Sequence, residues 1–99
     1  LRMPAGSADR LEGVIDACEE DLAPLTNFIL PGGCAAAAHL HHARCVARRA
    51  ERLTVAFADS GERLNAEIIT YLNRLSDLLF VLGRWANHRA EAAEVIWRP

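Results

Sequence analysis

The sequence predicts an all-α protein, a bundle of three helices. Three observations carry this: apolar residues recur at helical spacing in three separate segments, the stretch from Cys34 to Asp59 holds neither Pro nor Gly, and nothing alternates with the period of two expected of a half-buried strand. The 99 residues suit one domain near the lower end of comfortable core sizes, without room for a second. No repeat of 20–50 residues and no low-complexity tract interrupts it.

After a lead containing Pro4, Gly6 and Ser7, the residues Leu11, Val14, Ile15, Cys18 and Leu22 recur at helical spacing among acidic side chains, which predicts a first amphipathic helix over roughly 8–22. Ser7 is the expected N-cap and Pro24 the expected terminator. Leu25 to Gly33 follows as an ordered, hydrophobic loop, because Pro31-Gly32-Gly33 cannot continue a helix and can supply unusual backbone angles. The second helix runs from Cys34 to about Asp59, rich in Ala and closed by Ser60-Gly61. At 100° per residue Ala36, Leu40, Ala43, Ala47, Ala50 and Thr54 form one flank, with His39, Val46, Leu53 and Phe57 beside it and the arginines opposite.

The third helix, roughly 65–88, carries Ile68, Leu72, Leu75, Leu79, Leu82 and Ala86 at a near-heptad repeat, with Tyr71, Leu78 and Trp85 on a neighbouring stripe. So wide an apolar surface suits the central helix of a bundle. The tail from Val95 to Pro99 reads as short and extended. Apolar surface on the second and third helices exceeds what one such chain covers, so further helices or neighbouring subunits are expected to pack on it.

A net charge of −2 argues against a general nucleic-acid binder, and any anion site must be local. Every fixed cation is an Arg, since lysine is absent; its planar fork suits phosphate oxygens and keeps its charge at any cellular pH. Cys18, Cys34 and Cys45 are odd in number and widely spaced, which reads as reduced thiols of a cytoplasmic protein. No apolar run reaches the roughly 18 residues of a membrane span, and no membrane or nucleic-acid partner is expected.

Two constellations could carry chemistry. In the second helix Arg44, Arg48 and Glu51 fall within about 60° of one another on the wheel, with Arg52 at the edge and Arg49 further round. This is either a solvated face laced by Arg–Glu pairs, or a polyphosphate clamp in which Glu51 orients an Arg or helps hold Mg²⁺. In the third helix Asn73, Asp77, Phe80 and Arg84 share a sector of an otherwise apolar surface. A buried polar stripe must be paired, so it is either an Arg74–Asp77 pair with Asn73 bonded across the bundle, or a strip facing a ligand. His39, His41 and His42 point in three directions from one regular helix and cannot converge on an ion.

Taken together, Phe28-Ile-Leu-Pro-Gly-Gly33, Arg44-x-x-x-Arg48-Arg49-Ala-Glu51-Arg52, the run from Tyr71 to Leu82, and Val95-Ile-Trp-Arg-Pro99 resemble the ATP:cob(I)alamin adenosyltransferases of the propanediol-utilisation type. The resemblance extends from about Ala8 onward. It implies a five-helix bundle assembled as a homotrimer, with ATP and cobalamin at subunit interfaces and Mg²⁺ accompanying the nucleotide. Such enzymes move the 5′-deoxyadenosyl group of ATP to cobalt(I), releasing triphosphate, and a hand-over of the product to a cobalamin-dependent enzyme is implied with it.

By motif, the resemblance makes Phe28 the apolar wedge below the corrin and Arg48 the triphosphate contact. It places Arg49, Glu51 and Asn73 at the nucleotide, Glu51 near Mg²⁺, Arg44 in a pair with a neighbouring subunit's acid, and Arg74 and Asp77 in support. Leu53 stands where many relatives have another Arg. Relatives are longer, with an N-terminal Thr/Gly/Asp-rich ATP loop and two more helices, so residues 1–99 are expected to be the C-terminal part of a single adenosyltransferase domain. The alternative is a shortened, non-catalytic module that binds or escorts cobalamin.

Overall fold

The computed structural model describes residues 3–25, 28–61 and 63–96, the side chain of Val95 excepted. Helix α1 spans Ser7–Glu19, strand β1 Ile29–Leu30, α2 Ala35–Asp59, α3 Ala66–Arg89 and strand β2 Val95–Ile96. The expected three helices are present, and α3 is the central one: α1 and α2 each pack on it, and among the described residues they do not pack on one another.

The helix ends show why the chain folds locally as it does. Asn65 caps α3, its side chain accepting from the Glu67 N–H at 2.9 Å, and His88 and Arg89 complement the dipole at the far end. Ser7 does not cap α1 as expected. Gly6, at φ 83°, precedes the helix, and the Ser7 hydroxyl donates backwards to the Pro4 carbonyl at 2.7 Å. A helix-end donor without an intrahelical partner is met from α3, where Glu67 Oε1 accepts from the Ala8 N–H at 3.2 Å. Helix α1 also stops at Glu19 rather than Leu22. Glu19, Glu20 and Asp21 crowd three carboxylates at its negative end, where a longer helix is disfavoured.

The face that α2 turns inward keeps Ala47 and Thr54 of the expected flank but is rotated away from His39, Val46, Leu53 and Phe57, towards His41 and Arg44. Ala37, His41 and Ala47 are buried, with Arg44, Glu51 and Thr54 half-buried along the same face. Val46, Leu53 and Phe57 are 59%, 61% and 49% exposed, and His39 is exposed too. The larger apolar residues therefore point away from α3. The facing line on α3 is also small and polar, with Ser76, Gly83 and Asn87 buried while the near-heptad Leu stripe is only half-buried. Small residues on both sides let the two helices approach closely, which outweighs the transfer energy of the larger ones.

Ile29 pairs with Ile96 and Leu30 with Val95 in a two-residue antiparallel bridge that sequence alternation did not foretell. It ties the loop before α2 to the tail after α3. Trp97 to Pro99, part of the tail motif, and Thr26 and Asn27 in the loop lie outside the described residues.

Candidate functional site

Glu51 and Asn73 form the centre of a polar relay that crosses the bundle. Asn73 Nδ2 donates to Glu51 Oε2 at 3.1 Å, and Arg74 donates from Nη2 to Asn73 Oδ1. Arg74 also pairs with Asp77 at 3.1 Å on its own helix and with Glu12 of α1 at 3.5 Å. One guanidinium thus ties α1 to α3 directly and reaches α2 through Asn73. The Arg74–Asp77 pair and the cross-bundle Asn73 bond were both legible as one of the two sequence readings; the contribution of Glu12 was not. Beside the relay, Glu12, Asp16, Glu19, Arg74, Asp77 and Phe80 border an open groove of about 390 Å³ between α1 and α3.

On either side of Glu51 the α2 cations divide. Arg44 is half-buried, its guanidinium 5.1 Å above the Phe80 ring, and its Nε is buried without a partner among the described residues. Arg48, Arg49 and Arg52 are exposed and make no ion pair among the described residues. The structure therefore joins Glu51, Asn73, Arg74 and Asp77, sets Arg44 beside them against α3, and leaves Arg48 and Arg49 presented outward.

Below Arg44, His41 is 4% exposed and lies edge-on to Phe80, ring centroids 6.0 Å apart. Its ring fills the notch left by Gly83, where an added Cβ would stand 2.8 Å from the imidazole. Burial, then the charge of Arg44, lowers the His41 pKa from 6.5, against an opposing contribution from Glu94. His39 and His42 are exposed, and among the described residues no group of three His, Cys, Asp or Glu is placed to hold a metal.

Phe28, 81% exposed, sits on the segment between α1 and α2. Both flanks of that segment are tied to α3. Arg84 donates from Nη2 to the Ala23 carbonyl at 3.0 Å and from Nε to both Glu94 oxygens at 3.1–3.2 Å. Asn87, 1% exposed, accepts from the Cys34 N–H at 2.8 Å and donates to the Gly32 carbonyl at 3.1 Å. Gly33, at φ 101°, has no Cβ because Asn87 occupies that space. Sequence reading missed Asn87. Its signal was a carboxamide three residues after Arg84, continuing the small and polar line of Ser76 and Gly83.

The fold and this arrangement define a helical-bundle protein with a cation-edged polar relay on one helix pair and an exposed aromatic on a mounted loop. Residues 1–86 match the family model described as cobalamin adenosyltransferase, and the chain belongs to that family. It is 48% identical over 100 residues to the corrinoid adenosyltransferase of Mycobacterium tuberculosis, covering all of this chain and 50% of that protein. It is 44% identical over 93 residues to the human corrinoid adenosyltransferase MMAB, covering 94% of this chain and 37% of that one. Among solved structures, a variant PduO-type ATP:corrinoid adenosyltransferase from Lactobacillus reuteri, complexed with cobalamin and ATP, superimposes with a TM-score of 0.91. That pair is 33% identical, over 99% of this chain and 52% of the other. The chain thus spans about half the length of the curated relatives it matches most fully. Among the described residues no helix is long and apolar enough to cross a membrane.

Proposed function

We propose that this chain is the C-terminal part of an ATP:cob(I)alamin adenosyltransferase, working in the cytoplasm as a homotrimer. Its observational support is Glu51, held by Asn73 beside the outward-facing Arg48, in a chain that superimposes closely on a relative complexed with cobalamin and ATP. Cobalt(I) supplies the electron pair that attacks C5′ of ATP. A Co–C bond forms, the C5′–O bond breaks, and triphosphate leaves with the pair from that bond. The corrinoid is itself the nucleophile, so the protein needs none.

The chain's residues then have positioning and electrostatic work. Arg48 and Arg49 offer guanidinium donors to triphosphate oxygens, where negative charge builds as the C5′–O bond breaks. Glu51 and Asn73 fix the nucleotide end, and Arg74 and Asp77 hold Asn73 in register. Mg²⁺ fits as an ion carried on ATP. Glu51 spends one oxygen on Asn73, and its other oxygen suits a Mg²⁺ held mainly by phosphates and water. Phe28 serves as the apolar ring under the corrin, excluding water and an axial base. In this reading Arg44 pairs with an acid of the neighbouring subunit. The exposed stripe Val46, Leu53 and Phe57 offers apolar surface for the remaining helices or subunits of the trimer. Product adenosylcobalamin passes to a cobalamin-dependent enzyme.

The test is an anaerobic assay of the full-length protein with ATP and chemically reduced cobalamin. ATP-dependent formation of the cobalt–carbon chromophore is expected; a folded protein that binds both substrates without forming it overturns the reading.

A further inference from the structure

Arg84 and Asn87 lie three residues apart on one face of α3, both buried, and each holds one flank of the segment from Ala23 to Cys34. Neither enters the nucleotide relay. Arg84 fixes the upstream flank through the Ala23 carbonyl and is itself held by Glu94. Asn87 fixes the downstream flank by a two-point grip: its carboxamide accepts from Cys34 and donates to Gly32, satisfying one donor and one acceptor of a turn whose backbone cannot form helix bonds. Gly33 admits that grip only because it has no side chain. Phe28 stands between the two anchors, and the pairing of Ile29 with Ile96 stiffens the same stretch against the tail.

A carboxamide buried to 1% that spends both ends on one loop costs conformational freedom and core volume that an apolar residue would not. Its two bonds hold the backbone at Gly32 and Cys34, four and six residues after Phe28. We propose that Asn87, with Arg84, is the positioning residue that sets the height of Phe28 against the lower face of the corrinoid, and so governs cobalt's axial coordination rather than nucleotide binding. This rests on the reading of Phe28 as the corrin-facing ring.

The test uses the full-length protein with ATP and cob(II)alamin, whose electron paramagnetic resonance spectrum shows whether a nitrogen base or water occupies the lower axial site. Asn87→Ala and, from the other side of the contact, Gly33→Ala are expected to cut the axially unligated fraction at least threefold. They should lower kcat by tenfold or more while KM for ATP stays within twofold. Asn87→Ser, which keeps one polar group, carries the same readouts if Asn87→Ala does not fold, and Asn87→Asp, which sets an acceptor against the Gly32 carbonyl and buries a charge, should lose at least as much as Asn87→Ala. In the Asn87→Ala background Gly33→Ala should cost less than alone, because the space its Cβ needs has been vacated.

Folded variants with an unchanged axial spectrum and kcat overturn the proposal. So does a KM for ATP that moves as far as kcat, since that marks a general loss of structure. Phe28→Ala separates the two readings: if it leaves the axial spectrum unchanged, the assignment of Phe28 fails, whereas if it shifts the spectrum and the Asn87 variants do not, only the mount fails.

Discussion

Glu51 and Asn73, 22 positions apart in sequence, meet across the α2–α3 seam at 3.1 Å, and Arg74 carries the contact on to Asp77 and Glu12. A carboxylate that accepts a part-buried hydrogen bond is costly to leave unpaired. Asn73→Ala should therefore lose about 1–2 kcal/mol of stability by denaturant unfolding and raise KM for ATP. Glu51→Gln keeps the acceptor but not the charge. It should stay within about 0.5 kcal/mol of the parent in stability while weakening MgATP binding. Equal stability losses in the two variants would show that the charge serves the fold and not the nucleotide.

Arg48 offers a cleaner separation of stability from activity. It is exposed and makes no ion pair among the described residues, so Arg48→Ala should change unfolding free energy by less than about 0.5 kcal/mol. Its rate loss should be about 10²–10³-fold, the range seen when one donor to a developing oxyanion is removed. Calorimetry and steady-state kinetics on the same preparation check both halves.

The fit of His41 into the Gly83 notch predicts an intolerant position. Gly83→Ala gains helix propensity of about 1 kcal/mol, but its Cβ would stand 2.8 Å from the imidazole. Overpacking of this kind costs about 1–3 kcal/mol, so the net effect should be neutral to destabilising. His41→Ala should restore the propensity gain of Gly83→Ala in a double-mutant cycle. Additivity of the two would show that they do not touch.

His41 also predicts a pH dependence. Its folded pKa lies below 6.5, first through burial and then through Arg44, while the unfolded chain takes up that proton near 6.5. As pH falls below 6.5 the unfolded state holds more protons than the native one. Stability from this residue is complete above 6.5, declines below it, and stops declining once the folded imidazole protonates. Melting temperature between pH 7.5 and 5 should fall more steeply in the parent than in His41→Gln; parallel curves would place the pH sensitivity elsewhere.

Glu91, two residues past the end of α3, sits at φ 55°, the left-handed position that follows a helix and that glycine adopts without strain. The Ala92 N–H closes the turn on the Asn87 carbonyl at 2.8 Å. Glu91→Gly should raise stability by about 0.5–1 kcal/mol, net of glycine's larger entropy in the unfolded chain. A loss in thermal unfolding would mean that the Glu91 side chain contributes more than its backbone strain costs.

Periodicity and breakers alone determined the number of helices, their limits to within a few residues and the central place of α3, because each depends on neighbours within about four positions along the chain. The motif from Arg44 to Glu51 likewise put Arg44, Arg48 and Glu51 on one sector of α2, within which packing half-buries Arg44 and Glu51 and leaves Arg48 exposed, and the run from Tyr71 to Leu82 anticipated the polar stripe of α3. Which face of α2 turns inward was decided only in three dimensions. Its Val46, Leu53 and Phe57 carry the larger apolar surface, yet Ala37, His41 and Ala47 meet α3, because the facing Ser76, Gly83 and Asn87 leave room only for close approach. The pairings followed from that choice. Glu51 with Asn73, Glu67 with the start of α1, and Asn87 with Gly32 and Cys34 join segments 22 to 59 positions apart. Spacing along one helix holds no information about them, since a buried polar group takes whichever partner the packing brings within reach.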